Sequence, residues 1–330
     1  MTAAVIGAGA WGTALAALLA ENGHATTIWA HEPDVADGIA RSHENARFLP
    51  GVTLPVTLKA SFNLDEALAE ADVVVAAAPS HVLRAVLAAA APHVKEGATI
   101  VVASKGIERA TLALMSDVAA ACLPGRPIVA FSGPSFAAEV AAGQPTAIVA
   151  ASVDADAATR VQQAFRSPSF RVYTHDDVTG VELGGSLKNV MAVATGIADG
   201  LQLGFNARAA LITRGLAEMQ RLATRMGARP ATLSGLAGIG DLVLTCTGSL
   251  SRNRTIGLEI GRGKTLSEAL AGRETVAEGV TTTESAHMLA QREGVDMPIV
   301  AAVHRILFER QPARWALVEL MGRELRGEED

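Results

Sequence analysis

The sequence predicts an α/β chain: a doubly wound sheet in the first half, followed by an all-α second half. Three observations carry that prediction. Short apolar runs rich in β-branched residues alternate with helical stretches up to residue 176. Strand signals then nearly vanish, and apolar residues at helical spacing take over. Near its start the chain carries Gly7, Gly9 and Gly12 at G-x-G-x-x-G spacing, between the apolar pair Val5-Ile6 and an Ala/Leu-rich pattern that begins at Thr13.

Strand, glycine turn and helix are the context in which this spacing binds a dinucleotide, and they mark the first half as Rossmann-type. Gly7 allows the tight turn, Gly9 lets backbone approach a pyrophosphate, and Gly12 lets the helix pack close to the strand. The free N–H groups at the helix start then face the phosphates.

The bulk numbers narrow the rest. A chain of 330 residues with 49% hydrophobic residues has room for two domains and a large core. A net charge of −6 supplies no broad basic field for nucleic acid. Cys122 and Cys246 are far apart and read as reduced thiols in a reducing compartment. No metal-binding spacing of Cys and His occurs. The N-terminus reads as strand and glycine turn rather than signal peptide, and no apolar run reaches the ~18–20 residues of a membrane span. A cytoplasmic protein is the expectation.

In order, strands are expected at 25–29, 72–78, 98–103, 127–131, 147–150 and 170–173, with helices at 65–70, 81–91 and 111–123. Residues 41–57 look irregular, broken by Pro50-Gly51 and Pro55. The alternation implies a parallel sheet covered on both faces. Ligands of such sheets bind outside the carboxyl ends of the strands, where loops at Ser80, Lys105 and Gly133 to Ser135 would open. Helices follow at 181–199, 206–226, 253–261, 282–292, 299–308 and 314–320, and the charged tail 323–330 is expected to fray. The domains are therefore drawn as 1–176 for the dinucleotide and 177–330 for substrate and catalysis.

Several residues stand out chemically. Lys188 is a charge inside an apolar helical stretch, either snorkelling to solvent or pointed into a site. Reduction of a carbonyl needs a proton donor, and a lysine serves if burial or a second cation lowers its pKa. Lys105, on the sheet edge, is a candidate for that cation. Asp241 lies in a glycine turn, either as a helix N-cap or as a carboxylate orienting Lys188. Ser251-Arg252-Asn253 precedes a helical pattern and suits an anion; a solvated Arg is the plain alternative. After the second strand come His31 and Glu32. No acid sits at the strand end itself, where an NAD site often places one for the ribose, although Glu32 is close. His31 either faces a 2′-phosphate or is a solvated loop residue.

Taken together, the chain resembles the bacterial NAD(P)-dependent glycerol-3-phosphate dehydrogenases. The segments that carry the resemblance begin at Gly7 (GAGAWGTALA), Ala103 (ASKGI), Ser132 (SGPSFA), Gly184 (GGSLKNV), Asn206 (NARAALITRGLAEM), Gly238 (GIGDLVLTCT) and Ser251 (SRN), in family order across nearly the whole chain. The resemblance implies reversible reduction of dihydroxyacetone phosphate to sn-glycerol 3-phosphate, feeding glycerophospholipid synthesis. It implies Lys188 as general acid/base and Lys105 between cofactor and substrate. Asp241, Ser251, Arg252 and Asn253 would surround the substrate, with Arg252 and Asn253 on its phosphate and Arg252 also reaching the cofactor. Gly133, Ser135 and Ala137 would line substrate or cofactor from the sheet edge. Ala10, Trp11, His31, Glu32, Val276 and Glu278 would touch the cofactor. Ala10 departs from the Ser that members often have, and His31-Glu32 from the Arg that many carry. NADP or NAD is the implied cofactor, with NADPH preferred. The expected partners are small molecules only, and a homodimer is left open. Another hydroxyacid dehydrogenase with a helical second domain, or an NAD(P) sensor without turnover, are the rival readings.

Overall fold

The computed structural model describes residues 1–272, 277–324 and 327. β1 (Thr2–Ile6) runs through the glycine turn into α1 (Ala10–Glu21), and β2 (Ala25–Trp29) follows. α2 (Pro33–Ser42) leads to a small hairpin of β3 (Glu44–Asn45) and β4 (Leu49–Thr53), then to β5 (Lys59–Ser61). α3 (Leu64–Leu68), β6 (Val73–Ala76), α4 (Leu83–Ala90), β7 (Thr99–Val102), α5 (Met115–Cys122) and β8 (Ile128–Ser132) come next. α6 (Ala137–Ala141), β9 (Thr146–Ala151), α7 (Ala155–Phe165) and β10 (Phe170–His175) end the sheet region.

The eight-stranded sheet has the order β10-β9-β8-β7-β6-β1-β2-β5. Its central strands are buried on both faces, so their side chains feed two cores in alternation. Val73 and Val75 enter one core with Ala3 and Val5, while Val74 and Ala76 enter the other with Ala4 and Ile6. The chain first moves outward from β1 to β2 and β5, then returns to lay β6 on the opposite side of β1. The switch point therefore lies between β1 and β6, and Gly7 and Ser80 follow their carboxyl ends.

The sheet is not wholly parallel. β9 pairs antiparallel with β8, Phe131 opposite Ala150, because the intervening segment holds only the five-residue α6 and turns the chain straight back. β10 then pairs parallel with β9 after the crossover through α7. Residues 41–57 also differ from expectation. They hold the end of α2 and the β3–β4 hairpin, whose two- and five-residue strands are too short to show a period.

Among the described residues every later element is helical: α8 (Val178–Gly200), α9 (Gly204–Arg225), α10 (Pro230–Leu233), α11 (Asp241–Thr247), α12 (Arg252–Gly261), α13 (Leu266–Leu270), α14 (Glu278–Glu293), α15 (Pro298–Phe308) and α16 (Ala313–Met321). A single π-helical turn, Leu236–Gly240, leads into α11. Of the tail 323–330, residues 325–326 and 328–330 lie outside the described residues. α8 is the axis of this half, buried at every position from Gly180 to Ala198. Its glycines weaken a helix, but they admit neighbouring backbone. A Cβ on Gly196 would stand 2.0 Å from the Arg254 carbonyl oxygen of α12, and one on Gly257 of α12 would stand 2.1 Å from that of Val193. Asp177 caps α8, accepting the Gly180 N–H at 2.9 Å and the Thr232 hydroxyl at 2.6 Å.

Candidate active site

The glycine turn separates into two kinds of glycine. Gly7 has φ +111°, and a Cβ there would meet the Ala78 nitrogen at 2.9 Å; a Cβ on Gly12 would stand 1.9 Å from the Gly7 carbonyl oxygen. Both are demanded by the protein's own packing. Gly9 has nothing within 4 Å of its Cβ position, so the protein's own packing leaves that position open. α1 starts at Ala10 with no capping side chain and no acid in its first turn. The N–H groups of Ala10, Trp11 and Gly12 have no partner within the helix. The indole N–H of Trp11 is buried and unpartnered among the described residues.

Asn45 holds the turn from behind. Its amide donates to the Ala8 carbonyl and to the Thr13 hydroxyl, both at 2.8 Å, and its own carbonyl accepts from the Phe48 N–H at 3.1 Å. Nothing in the sequence singles out Asn45, because its partners lie far along the chain. His31 is exposed, with its ring 6.0 Å from that of Trp29. Glu32 occupies the N-cap of α2 without a capping bond from its side chain.

Across the switch point, three charged groups from three segments converge. Lys105 follows β7, and its Nζ donates to Asp241 Oδ2 at 2.7 Å and to the Gly133 carbonyl at 3.3 Å. Lys188, in the middle of α8, donates to Asp241 Oδ1. Asp241 is wholly buried and is the first residue of α11; Gly240 holds the N-cap position. The Asp241 carboxylate is thus committed to two ammonium groups, and Thr245 adds a hydroxyl donor to Oδ1 at 3.3 Å. The Lys188 side chain is only 9% exposed. Burial pulls its pKa down to about 7 and the Lys105 charge adds to that, while Asp241 opposes both. Ser135, from the loop after β8, donates to the Gly133 carbonyl at 3.0 Å, and Ala137 begins α6 just beyond.

The start of α12 completes the neighbourhood. Ser251 caps it, its Oγ accepting from the Arg254 N–H at 3.3 Å. Arg254 is tied to Asp199 at 2.8 Å. Arg252 is exposed, and its guanidinium makes no hydrogen bond among the described residues. Of the two arginines at this helix start, only Arg252 is free for a ligand. Asn253 is bonded to the protein on both sides of its amide. It donates to Asn189 Oδ1 at 2.9 Å and accepts from the Gly279 N–H at 3.0 Å, joining α12 to α8 and α14. Asn189 escaped the sequence reading although it adjoins Lys188. Glu278, first in α14, accepts from the N–H and hydroxyl of Ser80 at 3.1 and 2.6 Å, at the end of β6. Burial raises its pKa, and the Ser80 bonds oppose that. Val276 lies outside the described residues.

Comparison with known proteins decides the family. A family model described as NAD-dependent glycerol-3-phosphate dehydrogenase N-terminus matches residues 2–158, and its C-terminus counterpart matches residues 177–318. The chain belongs to the NAD-dependent glycerol-3-phosphate dehydrogenase family. Curated members of the family include the enzyme of Geobacter metallireducens, named glycerol-3-phosphate dehydrogenase [NAD(P)+], 56% identical over 98% of each chain. The enzyme of the same name from Geobacter sulfurreducens is 54% identical over 98% of each chain. Among solved structures, glycerol-3-phosphate dehydrogenase from Coxiella burnetii superposes with a TM-score of 0.94 at 42% identity, covering 98% of this chain and 99% of that one. The two family-model matches leave residues 159–176 between them, the stretch that holds most of α7 and all of β10.

Proposed function

We propose a division of labour for the reaction of this family, the reversible NAD(P)-dependent reduction of dihydroxyacetone phosphate to sn-glycerol 3-phosphate, the precursor of glycerophospholipids. The residues present fit a dinucleotide. The open space at the Gly9 Cβ position, the uncapped start of α1 and the unpartnered Trp11 indole N–H are all features that a bound pyrophosphate and its neighbours would explain. Gly7, Gly9, Ala10, Trp11 and Gly12 would hold it, with His31 and Glu32 near the adenosine ribose and Lys105, Ala137, Arg252 and Glu278 toward the other end. When bound, the nicotinamide supplies the hydride.

The chain's own residues supply charge and a proton. Arg252 and the start of α12 take the substrate phosphate, a dianion that a free guanidinium and helix N–H groups suit. Asn253, Ser251, Gly133 and Ser135 line the substrate. Lys105 and Lys188 flank the carbonyl, where they stabilise the oxygen as it becomes an alkoxide. Lys188 gives that oxygen its proton from Nζ and takes it back in the reverse direction. A pKa near 7 leaves comparable amounts of ammonium and amine at neutral pH, as a group used in both directions requires. Asp241 holds both lysines in place. The observation that carries this assignment is the convergence of two lysines on one buried carboxylate.

The direct test is the fall of NADPH absorbance with dihydroxyacetone phosphate as substrate. A flat trace despite tight NADPH binding would overturn the assignment in favour of a sensor. The division at residue 176 belongs to the same reading, supported by β10 ending at His175 and by the helical character of every later described element. So do a cytoplasmic location and a homodimer. Cys122 and Cys246 are both free thiols, which suits a reducing compartment, while Trp315, Val318 and Met321 expose an apolar stripe along α16 that a second copy would cover. Among the described residues, no single helix is long and apolar enough to cross a membrane.

A further inference from the structure

Lys105 and Lys188 come from different halves of the chain, yet they must meet on one carboxylate. Nothing in the reaction itself fixes the segment between β7 and α5 that carries Lys105. Two side chains of α8 bond it at Gly106 and Ser116, and between those points Arg84 of α4 pairs with Glu108. Ser186 Oγ accepts from the Gly106 N–H at 2.9 Å and donates to the Gly106 carbonyl at 3.1 Å, one residue beyond Lys105. Glu182, one turn earlier on α8, accepts from the Ser116 N–H at 2.8 Å and from the Ser116 hydroxyl. The segment is thus bound to α8 near both ends.

Helix geometry turns these bonds into a gauge. Residues four apart share a face, and each single step turns the face by about 100°. Gly184 and Lys188 face the π turn and Asp241; a Cβ on Gly184 would stand 2.3 Å from the Ala237 carbonyl oxygen. Glu182 and Ser186 face the segment after β7. Between the two faces lies Gly185, where a Cβ would stand 3.6 Å from Lys105 Cδ and 2.3 Å from Ser132 Oγ. The Lys105 stem therefore crosses α8 at Gly185, from the face that is bonded to its own segment to the face that carries Lys188. A shift of that segment along α8 would move Lys105 directly against Asp241 and Lys188.

Glu182 is also a costly choice for a mere packing contact. It is buried, its bonds come from Ser116 alone, and the charge that acts on it, Asp117, is another acid and raises its pKa further. A buried carboxylate with so little compensation is expensive.

We infer that Glu182 and Ser186 are positioning residues for the reduction, setting the distance between the two lysines across Asp241 by fixing residues 106–116 against α8. The inference rests on the assignment of Lys188 as proton donor. Releasing the segment withdraws Lys105 and admits water. Both changes return Lys188 toward an ordinary lysine, since burial and the Lys105 charge are what lower it. The charged groups facing Lys188 are Asp241 of α11 and Lys105, with the Cys246 thiol of α11 also nearby.

The test uses the full chain and the variants Glu182→Gln, Ser186→Ala, Ser116→Ala and the double variant Glu182→Gln/Ser186→Ala. Lys188 is titrated through the ¹³C resonance of its Cε, assigned by its loss in Lys188→Met, and kcat and KM are measured against pH. Expected for Glu182→Gln is an upward move of the Lys188 titration by roughly half to one unit, within the range that charges and burial exert. The high-pH limb of the kcat profile for reduction moves with it. kcat at neutral pH falls about three- to tenfold, the cofactor KM stays within about twofold, and the double variant goes further. Should Glu182→Gln fail to fold, Ser186→Ala and Ser116→Ala, each lacking only a hydroxyl, carry the same expectation on a smaller scale. Variants that lose melting temperature but keep the wild-type titration and pH limb would overturn the inference, leaving a structural role. A wild-type Lys188 that titrates near the ordinary ~10.4 would instead overturn the donor assignment, before any variant is made.

Discussion

The two ends of the proposed site are built from different material. On the sheet edge, recognition is made of backbone: a turn with an empty Cβ position at Gly9 and uncapped N–H groups at the start of α1. In the helical half it is made of side chains, with Lys188, Asp241 and Arg252 projecting from three separate helices. A pyrophosphate is the same in every dinucleotide, so fixed peptide groups suffice for it. A carbonyl that changes charge during reaction needs groups that can gain and lose a proton. The contrast predicts that substitutions in the helical half act on turnover and substrate, and those in the turn on cofactor.

The largest expected effect is at Lys188. Lys188→Met removes the proton donor while leaving the turn untouched, and kcat should fall by about 10² to 10⁴, the usual range for general acid catalysis. Cofactor affinity, read by fluorescence titration of NADPH, should stay at the wild-type value. The pH profile gives the same group a second reading. Reduction needs the ammonium, so its rate declines as pH rises through about 7, while oxidation of the alcohol needs the amine and gains over the same interval. Profiles that are flat between pH 6 and pH 8 in both directions would remove Lys188 from the proton transfer.

Arg252→Ala comes next. The guanidinium makes no hydrogen bond among the described residues, although its charge acts on the buried Glu278, so its loss breaks no bond and the fold should keep most of its melting temperature. The substrate phosphate loses a charged donor worth about 1.5–3 kcal/mol, or about ten- to a hundredfold in KM for dihydroxyacetone phosphate. An unchanged KM would break the assignment of the phosphate to this helix start. Arg254→Ala is the control, because it opens the buried pairing with Asp199 and should cost stability first.

The turn gives a paired test of the backbone end. Gly12→Ala forces a Cβ against the Gly7 carbonyl oxygen, 1.9 Å away, and should cost about 3 kcal/mol or more in stability from overpacking. Gly9→Ala meets no protein atom and should leave the cofactor-free protein at its normal melting temperature. It stands where the pyrophosphate would lie, so it should weaken cofactor binding by about tenfold or more, the equivalent of one charged hydrogen bond. If Gly9→Ala proved as unstable as Gly12→Ala, the open space at Gly9 would have no bearing on a ligand.

The same division explains what the sequence made legible. Backbone sites announce themselves through glycine spacing, because the constraint is local: Gly7, Gly9 and Gly12 act within six residues of one another. Lys188 was visible as a charge inside an apolar helix, and Asp241 as an acid in a glycine turn. Their pairing was only one of two readings of Asp241, beside a helix N-cap, because 53 residues separate them and only the fold, which brings α8 and α11 together, decides between the two. Asn45, Asn189 and Ser186 are small polar residues whose partners lie on other elements, so no local pattern distinguishes them from solvated positions. The antiparallel β9 escaped for a related reason. A strand's direction depends on whether the connection before it crosses the sheet, and the apolar run from Ala147 to Ala150 reads alike in either direction.

Smallest is the effect expected beyond the turn, where the backbone rule stops applying. The ribose end of the cofactor is the one part of that half that only side chains can distinguish. Glu32 sits at the N-cap of α2 without a side-chain bond to its own helix, and His31 beside it is exposed. A carboxylate there accepts from a ribose 2′-hydroxyl and repels a 2′-phosphate, while His31 offers the phosphate a ring N–H donor. Glu32 and His31 thus pull in opposite directions, and the preference for NADPH expected from the resemblance has to survive the acid. Glu32→Ala should raise the ratio of kcat/KM for NADPH over NADH by about fivefold, the scale of a single solvent-screened charge of ~1 kcal/mol. The gain should shrink at high salt. A ratio that stays put at low salt would place the 2′-position out of reach of Glu32, and would make the adenosine end, like the pyrophosphate, a matter of backbone alone.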